Sequence, residues 1–173
     1  MTKRLSRFLF VALATLGVDL ASKAWAVRAL TQGPRVLLPH RLQLVLAYNP
    51  SGAMGMLHDV PATARRAIFV SVSLLAVAAI AEMARRSGPR QGTLRFGLAL
   101  VLGGALGNLV DRIRAGVVVD FIDVVYAHTG GLERHWHTFN VADVSICVGA
   151  LLLLLDALAR KKPAPILLTT FQR

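Results

Sequence analysis

Four apolar stretches, at 8–30, 68–84, 94–110 and 141–158, divide the chain. A helix rises about 1.5 Å per residue and needs about 20 apolar residues to cross a bilayer. Each stretch therefore predicts a membrane span, the shorter ones with shielded ends. Between the first two, RLQLVLAY (41–48) alternates, with Leu42, Leu44, Leu46 and Tyr48 on one face, and NPSG (49–52) reads as a turn. That predicts a small sheet within a β-rich outer segment, 35–58. The segment 111–139 reads as an outer loop: it carries VVVDFIDVV, a glycine pair at 130–131 and the polar run ERHWH. The first stretch follows KRLSR, as in a signal peptide, but runs straight into Asp19 and Lys23 with no small-residue cleavage site, so it reads as a retained span.

Composition sharpens this picture. Of the 173 residues, 55% are hydrophobic and only 17% charged, which places the chain in the membrane class and predicts one α-helical domain, 1–173. The net charge of +11 raises nucleic acid as a partner, but the basic residues gather at the edges of apolar stretches and form no single patch, which excludes that class. More than half of the Lys and Arg lie in 1–7, 85–95 and 159–173. By the positive-inside rule both termini are then cytoplasmic, and Trp25, Trp136, Tyr48 and Tyr126 all fall at the outer interface. The single cysteine, Cys147, excludes an intrachain disulfide and a multi-cysteine zinc site; in its apolar run it is expected to be a buried, inert thiol.

Ionisable residues inside spans are costly and are functional candidates by default. Asp19 and Lys23 are spaced for an i, i+4 ion pair, as are Asp156 and Arg160; Glu82 has Arg85 and Arg86 nearby. Asp143 has no cation three or four positions away and must find a partner elsewhere or stay protonated. Asn140, one turn before it, suits a helix N-cap. In GGALGNLVDR (103–112) the glycines permit close helix packing, and Asn108 shares a face with Asp111 or Arg112. Asp120 follows closely enough to fold back toward Asp143. Two adjoining carboxylates share one proton and can act as base and acid on a water; two acids in a membrane protein equally suit a proton relay or an ion site. This reasoning does not choose between Asp120 and Asp123. Other chemistries find less support. No HExxH occurs, His135 and His137 read as solvated, and Ser22 and Lys23, adjacent on a helix, point about 100° apart.

These residues resemble the lipoprotein signal peptidases, the signal peptidase II family. DLASK (19–23), YNPSGAMGML (48–57), GGALGNLVDR (103–112), VVDF (118–121) and FNVADVSICVG (139–149) are similar, in order, to that family's motifs. The resemblance implies four transmembrane helices, a small periplasmic β-cradle and a mobile outer loop or helix over the active site. It implies an aspartyl endopeptidase that cleaves diacylglyceryl-modified prolipoproteins just before the lipidated cysteine. Its dyad would be Asp120 and Asp143, with Asn49, Asn108, Arg112 and Asn140 lining the site and Asp19 and Lys23 supporting it. The chain would work as a monomer in the bacterial inner membrane, among membrane lipids, with its site near the outer face and no metal or cofactor. One motif departs from the family: an ungapped match puts Ser51, Gly52, Ala53, Met54 and Gly55 on the last five positions, with Met54 where an aromatic is usual. The alternatives are a small transporter or ion-binding protein using Asp19, Asp143 and Asp156, for which Asp120 would be dispensable, and an inactive precursor-binding homologue.

Overall fold

The computed structural model describes residues 3–50, 57, 59–88 and 91–160. Four helices, α1 (Lys3–Ala29), α2 (Ala62–Arg86), α3 (Gly92–Ala115) and α4 (Val141–Arg160), accompany four strands, β1 (Arg35–Leu38), β2 (Leu42–Asn49), β3 (Val118–Thr129) and β4 (Leu132–His135). Each helix is long and apolar enough to cross a membrane. They run past the apolar stretches because their basic and polar ends stay helical. At 25 and 24 residues, α2 and α3 extend well beyond stretches that looked short by hydropathy.

The bundle is organised on α3, which packs against the other three helices; among the described elements, α2 touches α3 alone. Small residues allow this. A Cβ on Gly103 would lie 2.6 Å from the Ala12 carbonyl of α1, and one on Gly104 would lie 2.5 Å from the Ala142 carbonyl of α4. No larger residue fits between backbones that close. Phe8, Ala12, Ile80, Leu98, Ala99 and Leu102 form the core here. Large apolar side chains of the outer helices, such as Leu75, Leu151 and Leu154, point outward, as suits a lipid solvent. Cys147 follows that inverted pattern. It is exposed, not buried as its apolar run suggested, because an apolar run on a membrane helix faces lipid as readily as core.

The strands form one antiparallel sheet in the order β1-β2-β3-β4. Leu44 and Leu46 on β2 and Phe121 on β3 pack against Ala26 and Leu30, at the C-terminal end of α1. The segment 111–139, expected as an outer loop, holds the end of α3, the 12-residue β3 and the short β4. Its β-branched run outweighs its polar punctuation. Among the described residues of that segment no helix covers the site, and most of 51–58 lies outside the description. Two turns set the geometry. Gly116, at φ 74°, ends α3 with its N–H on the Arg112 carbonyl and sends the chain directly into β3. Gly130 and Gly131, at φ 60° and 78°, close the β3–β4 hairpin as a two-residue turn.

Candidate active site

Asp19 lies fully buried on α1. Its Oδ2 pairs with Lys23 Nζ at 2.9 Å, one turn on, while its Oδ1 accepts the Ala142 backbone N–H at 2.9 Å. That N–H belongs to the first turn of α4, where backbone donors have no partner within the helix. The close approach of α3 depends on Gly107, since a Cβ there would collide with the Asp19 carboxylate.

Lys23 makes three buried contacts: Asp19, Asp111 Oδ2 at 2.9 Å and Asn108 Oδ1 at 2.8 Å. The ammonium group only donates, so it fixes which way the Asn108 amide points. Asn108 Nδ2 then faces Asp143 and donates to its Oδ1 at 2.9 Å. Asp111 was not singled out as a site residue in the sequence. It pairs with Lys23 and accepts the Val119 N–H at 3.2 Å, tying the end of α3 to the start of β3. Its place three residues after Asn108 was the available signal.

Asn140 does two things at once. Its Oδ1 accepts the Asp143 N–H at 3.0 Å and Asp143 Oδ2 accepts the Asn140 N–H at 3.2 Å, a reciprocal cap on α4. Its Nδ2 donates to Asp120 Oδ1 at 2.7 Å and approaches Asn108 Oδ1 at 3.2 Å. The N-cap expected at Asn140 is present, and the opposite end of the same amide reaches Asp120. Asn49, the last residue of β2, donates to the other oxygen of Asp120 at 2.9 Å. Arg112 stacks on Phe69 of α2, its guanidinium carbon 4.7 Å from the ring centre, within the field of Asp143, Asp120 and Asp111.

Asp120, Asp143, Asn49, Asn108 and Arg112 line one cavity of about 890 Å³. Asn140 lies behind it, fully buried. Trp136 and Phe139 wall the cavity on one side, and Val144, Cys147 and Val148 continue it along α4. Burial raises the Asp120 carboxyl to about 6; the bond from Asn49 opposes the rise and the charge of Asp143 adds to it. The arrangement thus offers two carboxylates of unlike setting facing one space, the requirement for paired acid and base chemistry.

Asp123 has a different setting. Three residues along a strand reverse the face, and Asp123 turns away from this cavity. Its Oδ2 accepts Gln43 Nε2 at 2.6 Å and faces His135 Nδ1 at 2.8 Å. His135 is exposed, as expected, and also pairs with this acid, whereas His137 lines the cavity of Asp120 and Asp143. Among the described residues, the one trio with metal-ligating atoms within 4.8 Å of one another is His40, His128 and Glu133, exposed at the far end of the sheet. The pairs Glu82 with Arg85 and Arg86 are present and exposed; the side chain of Arg160 lies outside the description, as do Ser51, Gly52, Ala53, Met54 and Gly55.

Residues 11–159 match the family described as Signal peptidase (SPase) II. The chain belongs to the signal peptidase II family. Its relatives include the lipoprotein signal peptidase of Pseudomonas putida, 40% identical over 90% of this chain and 88% of the relative. That of a Sulfurihydrogenibium species is 35% identical over 89% and 92%. Two solved bacterial membrane enzyme structures share the fold at 23% identity. One, at 2.3 Å resolution, has a TM-score of 0.74 over 93% of this chain and 94% of its own; the other, at 1.9 Å, has 0.75 over 91% and 95%. This signal peptidase II homologue is thus a multi-pass membrane protein of a peptidase family.

Proposed function

We propose that the chain is an aspartic endopeptidase that removes the signal peptide from diacylglyceryl-modified prolipoproteins, cutting just before the lipidated cysteine. The observation that carries this reading is the meeting of Asp120 and Asp143 at one cavity, joined through the Asn108–Asn140 amide pair. Asp143, held by two N–H donors, is the base and takes a proton from a water between the acids. Asp120, with its raised pKa, gives its proton to the scissile carbonyl oxygen as the water oxygen bonds to the carbon. On collapse of the tetrahedral intermediate the Asp143 proton passes to the departing amine and Asp120 recovers its own. Asn49 and Arg112 are in position to bind the peptide backbone.

The enzyme works as a monomer in the bacterial inner membrane, with both termini cytoplasmic and the site near the outer face. The apolar side of the cavity along Val144, Cys147 and Val148 suits the lipid chains of the substrate. The transporter reading loses support from Asp19, which is committed to Lys23 and to the α4 backbone.

Processing of a lipidated precursor by purified protein tests the proposal. Asp120→Asn and Asp143→Asn should each stop cleavage, and Asp123→Asn should leave most of it. Equal loss with Asp123→Asn would sink the choice of Asp120. Full activity with Asp143→Asn would end the dyad.

A further inference from the structure

At the opposite end of α3 from the dyad, α1 and α3 flank a second, half-open cavity, of about 340 Å³. Gly92, on its rim, and Asn108 are 16 positions apart on one helix, so about 24 Å separates the two sites along the axis. Arg4, Arg7 and Arg95 line this cavity, and no carboxylate does. Arg95 donates to the Gly88 carbonyl through Nη2, yet its Nε is buried without a partner. A buried donor of that kind costs free energy unless something accepts from it. The N-terminus of α3 adds to the same field, with no acidic residue in its first turn and no side-chain cap from Gln91.

The order of residues along both helices indicates what would fit. On α1, Arg4 and Arg7 are followed by Phe8 and Val11; on α3, Gly92 and Arg95 are followed by Phe96 and Ala99, all lining the cavity. Each helix thus presents cations at its end and apolar groups one turn deeper on the same face. By contrast, Arg85 and Arg86 of α2 are paired with Glu82 at 2.7 and 2.5 Å. Snorkelling arginines alone would need neither a recess between two helices nor an apolar floor.

We propose that this cavity holds the headgroup phosphate of an anionic phospholipid from the bilayer leaflet opposite the dyad. The three guanidinium groups bind the phosphate, and Val11 and Phe96 receive the adjoining glycerol and first acyl carbons over a floor backed by the buried Phe8 and Ala99. The tails lie outside, against the exposed apolar faces of the helices. Basic recesses between membrane helices are suited to such headgroups. The site does not depend on the assignment of the dyad.

Native mass spectrometry of the purified full chain, titrated with phosphatidylglycerol, with phosphatidylcholine or with inorganic phosphate, tests this. One phosphatidylglycerol should be retained per chain in preference to phosphatidylcholine, and inorganic phosphate should not displace it. Each guanidinium contributes a factor of about five, so the triple variant Arg4→Gln, Arg7→Gln, Arg95→Gln should lose about a hundredfold in retention. Arg95→Gln alone, the milder change should the triple variant fold poorly, should lose about fivefold. The control Arg85→Gln, Arg86→Gln removes two charges at the same end and should lose nothing. Equal retention of the two lipids by the wild type, displacement by inorganic phosphate, or an equal loss in the control pair would each overturn the proposal.

Discussion

Asp120 and Asp123 sit three residues apart on one strand, both buried, yet they occupy different worlds. Asp120 takes two side-chain amides, Asn49 and Asn140, and otherwise faces an open cavity shared with Asp143. Asp123 is walled in by Gln43 and His135 and faces no second acid in that space. Behind it runs a chain of exposed groups: His135 Nε2 lies 3.6 Å from Glu133, and Glu133 meets His40 at 2.6 Å. One acid turns its buried carboxylate toward a cavity, and the other uses its carboxylate to pin a hairpin. Burial alone therefore does not distinguish the two acids; what shares the free side of each does.

The comparison can be broken most directly at the acids. Asp120→Asn should lower precursor cleavage by about a thousandfold, the range for loss of a positioned acid or base, with Asp123→Asn close to wild type in the same assay. Next is Asn140→Ala, which removes a donor to Asp120 and the cap of α4 together. It should lower cleavage about tenfold or more and cost about 1 kcal/mol in stability, read from thermal unfolding in detergent. Gln43→Ala, its counterpart at Asp123, should cost about 1 kcal/mol in the same unfolding experiment and leave cleavage intact. A drop in activity there would erase the distinction between the two ends.

The smallest effect is a shift in pH dependence. Asp120 must carry a proton to act as acid, and its pKa lies at about 6. The pH profile of kcat/KM should therefore fall as pH rises through that value. The Asn49 bond favours the ionised form, so Asn49→Ala should raise the pKa further and move this limb to higher pH. A limb that moves to lower pH would assign the proton elsewhere.

Much of this was legible in the residues, and the misses have physical causes. The spans follow from apolar length, and β2 follows from the alternation at 41–48. The need of Asp143 for a distant partner follows from its cation-free turn. The choice between Asp120 and Asp123 rested on resemblance because 111–139 was read as loop; read as strand, alternation alone sends the two acids to opposite faces. Cys147 was misjudged because burial rules learned from water invert against lipid. Gln43 and Asp111 were passed over since their partners, 80 and 88 positions away, are chosen by tertiary packing.

The bond that Asp19 accepts from the Ala142 N–H spans 123 positions, joining α1 to α4. During synthesis α1 is made long before α4 exists, and until then Asp19 has only Lys23 beside it to balance its charge. A truncated chain lacks both Asp143 and the backbone that locks Asp19 in place. On the proposed assignment of the dyad, the chain therefore gains activity only once α4 has docked against α1.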